Sequence, residues 1–382
     1  MENSQKTTFL DYMGKITDPR KPYNQLHVFL DIVAIAVLAT LCGADTWNEI
    51  ESWGNACWDW LSTFLVLKNG IPSHDTFNRV FQMIDPEEFH CIFLEWIQGV
   101  AAGVKGVVSI DGKTVRRSRD GKNNKKAIHV VSAGAGELSL VLGQEKVDEK
   151  TNEINAIPEL VKKLAIEGCT VTIDAMGTQK KIAELIIKKG ADYILQVKGN
   201  QEALENEIAE YFEKEVFPEK KTVLENKGMY FKDMANDHGR METREYYIEK
   251  GIGWMADALK EWKGLNGIGA CRSTVEENGR VTTGISYAIF SGPNMTAEKY
   301  GQYKRSHWLI ENSLHWCLDI AFNEDQSRIR NGYAAENMNT LRHMCLNMLK
   351  QENTCKMGIK GKRKRCGWDH GYLIKVLETL AS

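Results

Sequence analysis

The sequence predicts an α/β protein: a mixed sheet with helices on both faces, preceded by a helical domain. Three observations predict it. Residues 1 to about 100 read as consecutive short helices. From about residue 106 the pattern becomes β-β-β-α-β-α-β-α, and hairpin-linked strands followed by alternating α/β units imply a mixed sheet covered by helices. Two of the strand-like runs, VVSID at 107–111 and TVTID at 170–174, each finish on an aspartate.

The elements follow in order. HVFLDIVAIAVLATLCGA (27–44) runs to a glycine, a common helix stop. TWNEIESWGNACWDWLSTFL (46–65) is amphipathic and rich in tryptophan. IPSHDTFNRVFQMI (71–84) and DPEEFHCIFLEWIQGVA (85–101) open on Pro-Ser and Asp-Pro, both good helix starts. The strands are then 107–111, AIHVVSA (127–133), a Gly-Ala-Gly turn and LSLVLG (138–143). A helix opened by Pro158 leads to the strand 170–174, the helix TQKKIAELIIKKG (178–190), the strand ADYILQV (191–197) and a glutamate-rich helix from Asn200. Residues 220 to 300 are less regular. Strand-like METREYYIEK and GISYAIFSG flank short helices with Trp254 and Trp262, so the stretch reads as an insertion. The last clear element is the helix KRSHWLIENSLHWCLDIAF (304–322). Ile310, Leu314, Cys317, Leu318 and Ala321 form its apolar stripe, with His307, Glu311 and His315 one turn apart beside it. The expected division is a helical domain over 1–100, a sheet domain over 101–350 with its insertion, and a basic segment over 351–382.

Composition narrows the class. The chain has 382 residues, 43% apolar and 26% charged, as in ordinary soluble proteins. Nine scattered cysteines form no CxxC pair, which excludes a disulfide framework and a zinc signature and fits a reducing cytosol. The start MENSQKTTFLDY lacks the pattern of a signal peptide. The most apolar run, Leu30 to Cys42, contains Asp31 and falls short of the roughly 20 residues of a membrane span. A cytoplasmic protein with no membrane partner is expected. The net charge of −2 counts against a simple basic DNA-binding module. Charge is nevertheless segregated: residues 113–126 hold seven Lys or Arg against one Asp, and 356–365 hold six and no acid. Both blocks read either as local anion sites or as solvated surface.

Asp111 and Asp174 end strands, at the edge where open α/β sheets bind ligands. Glu311 flanks the buried face of a helix that looks across at the sheet. Two carboxylates about 4 Å apart repel by roughly 4 kcal/mol at an effective dielectric of 20. Magnesium or manganese relieves this, and two such ions can stabilise the entering and leaving oxygens of a phosphoryl displacement. Cations beside the acids, Lys113 with Arg116 and Arg117, and Lys198, suit an anion held there. Asp319 and Asp325 are rival acids. His307 and His315 read as structural, or as a weak metal pair.

These stretches resemble a known family. VVSIDGKTVRRS, VTIDAMGTQKKIAELIIKKGADYILQVKGNQ, HGRMETREYY and HWLIENSLHWCLDIAFNEDQSRIRNGYAAENMNTLRHMCLNML are similar, in the same order, to the insertion-sequence DDE transposases of the H-repeat-associated group. DPRKPYNQLHVFLDIVAIAVLATLCGADTWNEI and GIPSHDTFNRVF resemble the domain that precedes the core in that group. The resemblance covers nearly the whole chain and implies a ribonuclease-H-like sheet. It implies that Asp111, Asp174 and Glu311 are catalytic and hold two Mg²⁺ or Mn²⁺ ions. It also implies that Lys198 and Asn200 lie beside substrate phosphates. Related cut-and-paste enzymes carry Tyr-x2-Arg-x3-Glu-x6-Lys around the third acid. Here His307 replaces the arginine and Leu318 the lysine, which leaves Lys304, Arg305 and Arg328 as candidates for phosphate contact. Arg240 and Arg244 are expected on the DNA backbone, and Trp308 either stacks on an unpaired base or serves the core. The implied partner is double-stranded DNA, both element ends and target, bound by a homodimer or larger assembly. End recognition falls to the helical domain. Two other readings stay open: a metal-dependent nuclease without strand transfer, and a DNA-binding protein that no longer cleaves.

Overall fold

The computed structural model describes residues 9–100, 105–119, 127–135, 140–147, 153–237 and 240–380. The four early helices lie at Phe29–Leu41, Trp47–Ala56, His74–Met83 and Pro86–Val100. Phe29–Leu41 is almost wholly buried, including Asp31, whose carboxylate accepts from the Leu67 and Val66 N–H groups at 3.1 and 3.4 Å. That pairing makes a buried acid tolerable in an apolar helix. The tryptophan-rich helix opens with a capping box between Thr46 and Glu49 and breaks at Cys57, before a separate turn at Trp58–Leu61.

Nine strands form one sheet: β1 (Gly106–Thr114), β2 (His129–Ala135), β3 (Leu140–Val147), β4 (Cys169–Ile173), β5 (Asp192–Val197), β6 (Tyr230–Asp237), β7 (Arg240–Glu249), β8 (Gly267–Glu277) and β9 (Arg280–Phe290). Their order is β3-β2-β1-β4-β5-β9-β8-β7-β6. Within the first five, β4 runs parallel to both β1 and β5, and β2 runs antiparallel to β1 and β3. This is the ribonuclease-H-like sheet.

The insertion belongs to the same sheet, because β9 pairs antiparallel with β5 and β8, β7 and β6 follow. Of its strands, β6 and β8 were not expected. β8 carries Gly267 and Gly269, which look like loop residues, but the Phe290 and Tyr300 rings occupy the space a side chain would need. Trp254 and Trp262 flank the short helix Ala256–Glu261 rather than lying inside it. Two further departures concern starts and ends. β1 does not stop at Asp111 but pairs with β2 through Thr114. Pro158 lies inside the helix Glu153–Lys163 instead of opening it, since Glu153 is already bonded to His129 of β2.

A long helix, Ala334–Gln351, runs through the middle of the molecule and is buried over most of its length. Asn347 accepts from the Val141 N–H at 2.8 Å and donates to its carbonyl at 2.9 Å, covering part of edge strand β3. Asn337 donates to the Phe81 and Ile84 carbonyls, both at 2.9 Å. One apolar cluster therefore runs from the early helices through the sheet to this helix, across the expected boundary at residue 100. The C-terminal basic segment differs as well. It forms helices Ile359–Trp368 and His370–Glu378, with Lys362 and Arg363 buried. Arg363 donates to the carbonyls of Thr40, Ala44 and Ala321 and pairs with Asp45 at 2.9 Å. A cation there satisfies carbonyls in the last turns of two helices.

Replacing Arg363 with leucine leaves those carbonyls and Asp45 without a donor. A loss of roughly 3–5 kcal/mol in a denaturant titration is expected.

Candidate active site

The parallel register of β1 and β4 aligns Ile110 with Ile173 and ends there. The next residue on each strand is the acid, Asp111 or Asp174, and neighbouring strands lie about 5 Å apart. Strand pairing alone thus brings two carboxylates 63 positions apart to one point of the sheet edge. β4 then turns away, with the Gly177 N–H donating to Asp174 Oδ1 at 3.1 Å. Gly177 has to be glycine, because a β-carbon there would overlap Ile173 and Ile157.

Glu311 arrives from the other side. The expected helix is continuous from Ala297 to Phe322 but contains a wide π turn, Glu311–His315, between two α-helical stretches. The Trp316 N–H bonds to the Glu311 carbonyl, one residue further than in an α-helix. Such turns gather at functional sites. The wide turn begins at the acid and breaks the even spacing of His307, Glu311 and His315. His307 Nδ1 lies 3.2 Å from Thr172 Oγ1 on β4, and His315 Nδ1 lies 3.5 Å from Asp111 Oδ2. Each histidine docks the helix on the sheet, at a different residue. Burial lowers both, His307 to about 4 and His315 to about 3.

Asp111 and Glu311 line one cleft of about 450 Å³ with Arg240, Arg244, Lys304, Arg305, His307 and Trp308. Burial pushes the Asp111 carboxyl up to about 6. The Gly112 N–H opposes that shift, while Asp174, Glu153 and Glu311 add to it. Asp174 is also raised by burial, with Glu153 contributing. Asp174 is not among the residues lining that cleft; carboxylates buried near one another suit a divalent cation with oxygen ligands. Among the described residues, however, no three His, Cys, Asp or Glu side chains stand close enough for a closed coordination shell.

The residues expected to contact DNA fall into two groups. Trp308 is 62% exposed at the cleft, and Arg240, Lys198 and Arg328 are exposed. Arg117 is exposed too, and its carbonyl accepts from Arg330. Asn200 donates to the Ala175 carbonyl, just past Asp174. The others are engaged by protein acids: Arg244 with Glu242 at 2.5 Å, Arg305 with Asp233, and Arg116 with Asp325 at 3.4 Å. Residues 120–126 of the basic block lie outside the described residues.

Lys113 departs most from expectation. It turns inward, 2.6 Å from Asp319 Oδ1 and 2.8 Å from Glu324 Oε2, instead of facing an anion. Glu324 is fully buried, accepts from Asn339 and lies 3.7 Å from Arg342. Asp319 and Asp325, the rival acids, are each paired with a cation, Lys113 (shared with Glu324) and Arg116. The sequence also hid Glu153, an acid at the start of a helix, whose significance depends on the long-range fold.

Residues 102–348 match the transposase DDE domain family, and residues 10–97 match the DDE_Tnp_1-associated family. "Putative transposase YncI" of Escherichia coli O157:H7 is 41% identical over 376 residues, 97% of this chain and 95% of that protein. "H repeat-associated putative transposase YhhI" of Escherichia coli (strain K12) is 38% identical over 372 residues, 96% of this chain and 97% of that protein. The chain belongs to the DDE transposase family, and within it resembles the H-repeat-associated proteins. No helix among the described residues is long and apolar enough to cross a membrane.

Glu324→Gln leaves two buried cations short of charge, and a loss of about 3–5 kcal/mol is expected in denaturant titrations. Burial alone raises the Glu324 carboxyl, but Lys113 and Arg342 hold it at about 2, below the ordinary 4.5. Its stabilising contribution is therefore complete above about pH 4.5 and lost as pH falls toward 2. Acid titration of wild type and Glu324→Gln should converge across that window.

Proposed function

We propose that this chain cleaves and joins DNA strands at the ends of an insertion sequence, with Asp111, Asp174 and Glu311 holding two Mg²⁺ or Mn²⁺ ions. The observation that carries the reading is the register of β1 and β4, which ends at Ile110 and Ile173 and sets the two aspartates side by side. Support also comes from Glu311, which lines the same cleft as Asp111. When bound, the divalent ions would activate water and stabilise the entering and leaving oxygens of a phosphodiester.

The chain's own residues have the remaining work. The three carboxylates would hold the cations when these are bound. Lys304 and Arg240 line the cleft and can hold phosphate oxygens. Exposed Trp308 offers a face on which a base can stack. Lys198 and Asn200, after β5, extend the contact past Asp174. His307 and His315 hold the Glu311 helix on the sheet. Water would displace the first strand, and the freed 3′-hydroxyl would attack target DNA, with no covalent protein intermediate. Joining two ends calls for at least two copies at work, and the early helices are the candidates for end recognition.

The experiment is incubation of the purified protein with DNA carrying its own element's ends, with and without Mg²⁺. Asp111→Asn, Asp174→Asn and Glu311→Gln should each lower cleavage at least about 10²-fold, the scale of losing one transition-state stabiliser, while DNA binding persists. Cleavage that survives Asp111→Asn would falsify the triad. Cleavage without joined products would favour a nuclease, and binding without cleavage a protein that has lost catalysis. Arg240→Ala should reduce the salt dependence of DNA affinity by about one phosphate contact.

A further inference from the structure

Successive residues of a strand face opposite sides of the sheet. Gly112 and Thr114 therefore face away from the Asp111 side chain. Over β2 and β3 lies the helix Glu153–Lys163. Its first residue, Glu153, is 7% exposed and hydrogen-bonded to His129 Nε2. His129 Nδ1 lies 2.7 Å from Thr114 Oγ1, and the two residues are register partners across β1 and β2. A β-carbon on Gly112 would come within 2.7 Å of Glu153 Oε1 and 2.9 Å of His129 Nε2. The residue after Asp111 thus has to lack a side chain for this carboxylate to lie against β1.

A buried carboxylate is costly unless it is paired. Among the described residues Glu153 pairs with a histidine, His129, and with no lysine or arginine. Its carboxylate lies against Gly112, the residue next to Asp111, on the opposite face of the sheet from the Asp111 side chain. An arrangement that adds a third negative charge beside Asp111 and Asp174 destabilises the empty site. A bound divalent cation reverses the sign of that effect.

We propose that Glu153 is a positioning residue of the cation site. Held against Gly112 by His129 and Thr114, it adds a fixed negative charge behind Asp111 and Asp174 and strengthens their grip on divalent ions. The inference rests on reading Asp111, Asp174 and Glu311 as cation ligands.

The test is calorimetric titration of the full-length protein with Mn²⁺ alone, without DNA. Glu153→Gln keeps the shape and an acceptor for His129 and removes only the charge. It should weaken Mn²⁺ binding about tenfold, the scale seen when partners behind a metal ligand are lost. Gly112→Ala, which displaces the carboxylate, should weaken it similarly. The double variant should lose little more than either alone, because both act through one group. If wild type binds Mn²⁺, Asp111→Asn does not, and Glu153→Gln binds as wild type does, Glu153 has no such role while the cation site stands. Lowered thermal stability with unchanged Mn²⁺ affinity has the same meaning: a structural pair only. Failure of wild type to bind Mn²⁺ removes both this inference and the reading beneath it.

Discussion

Lys113 leaves the end of β1 for the interior of the protein, and the geometry of the site depends on where it goes. Two residues past Asp111, its ammonium pairs with Asp319 at 2.6 Å and Glu324 at 2.8 Å. Asp319 belongs to the helix that carries Glu311, and Glu324 to the turn that follows it. One side chain therefore ties the strand bearing the first acid to the helix bearing the third. Taking these charges out of water is expensive, and such groups are not an efficient source of stability. Their effect is directional: an ion pair with two carboxylates in fixed positions accepts little sliding of helix on sheet, whereas a purely apolar contact is non-directional and tolerates it.

The same helix is held at two more points, His307 against Thr172 and His315 beside Asp111. The π turn lies between them, so Glu311 sits at a local irregularity with contacts on either side. The sheet supplies the other two acids through backbone pairing, which needs no side-chain contact between them. Rigid backbone pairing brings the two aspartates to one sheet edge, and side-chain docking lays the helix that carries Glu311 on the sheet. Burial raises the Asp111 and Asp174 carboxyls, and at Asp111 the neighbouring Asp174, Glu153 and Glu311 add to it.

The periphery is tied to this centre through a shared core. Helix Ala334–Gln351 touches the early helices and β3, and its Arg342 lies against Glu324. Arg363, from the basic C-terminal segment, reaches the last turn of the Glu311 helix at Ala321 and the end of Phe29–Leu41 at Thr40. A segment that looks like a nucleic-acid tail is, at its two buried cations, an internal clamp. A displacement of the early helices would therefore be felt at the helix carrying the third acid.

By itself the sequence determined what short-range pattern can encode. The early helices, the β-β-β-α-β-α-β-α order and the aspartates at VVSID and TVTID all follow from periodicity, caps and strand-like runs. Glu311 stands out by its place beside an apolar helical stripe, and its grouping with Asp111 and Asp174 is what the family resemblance implies. Tertiary structure decided the rest. Gly267 and Gly269 look like breakers until the Phe290 and Tyr300 rings fill their missing side chains. Lys113, Arg244 and Arg305 read as free cations until acids remote in the chain claim them. Glu153 is one glutamate among many until His129 and Gly112 come to it. The physical reason is common to all of these: the environment of a charged or small residue is made by partners far along the chain, and periodicity carries no record of them.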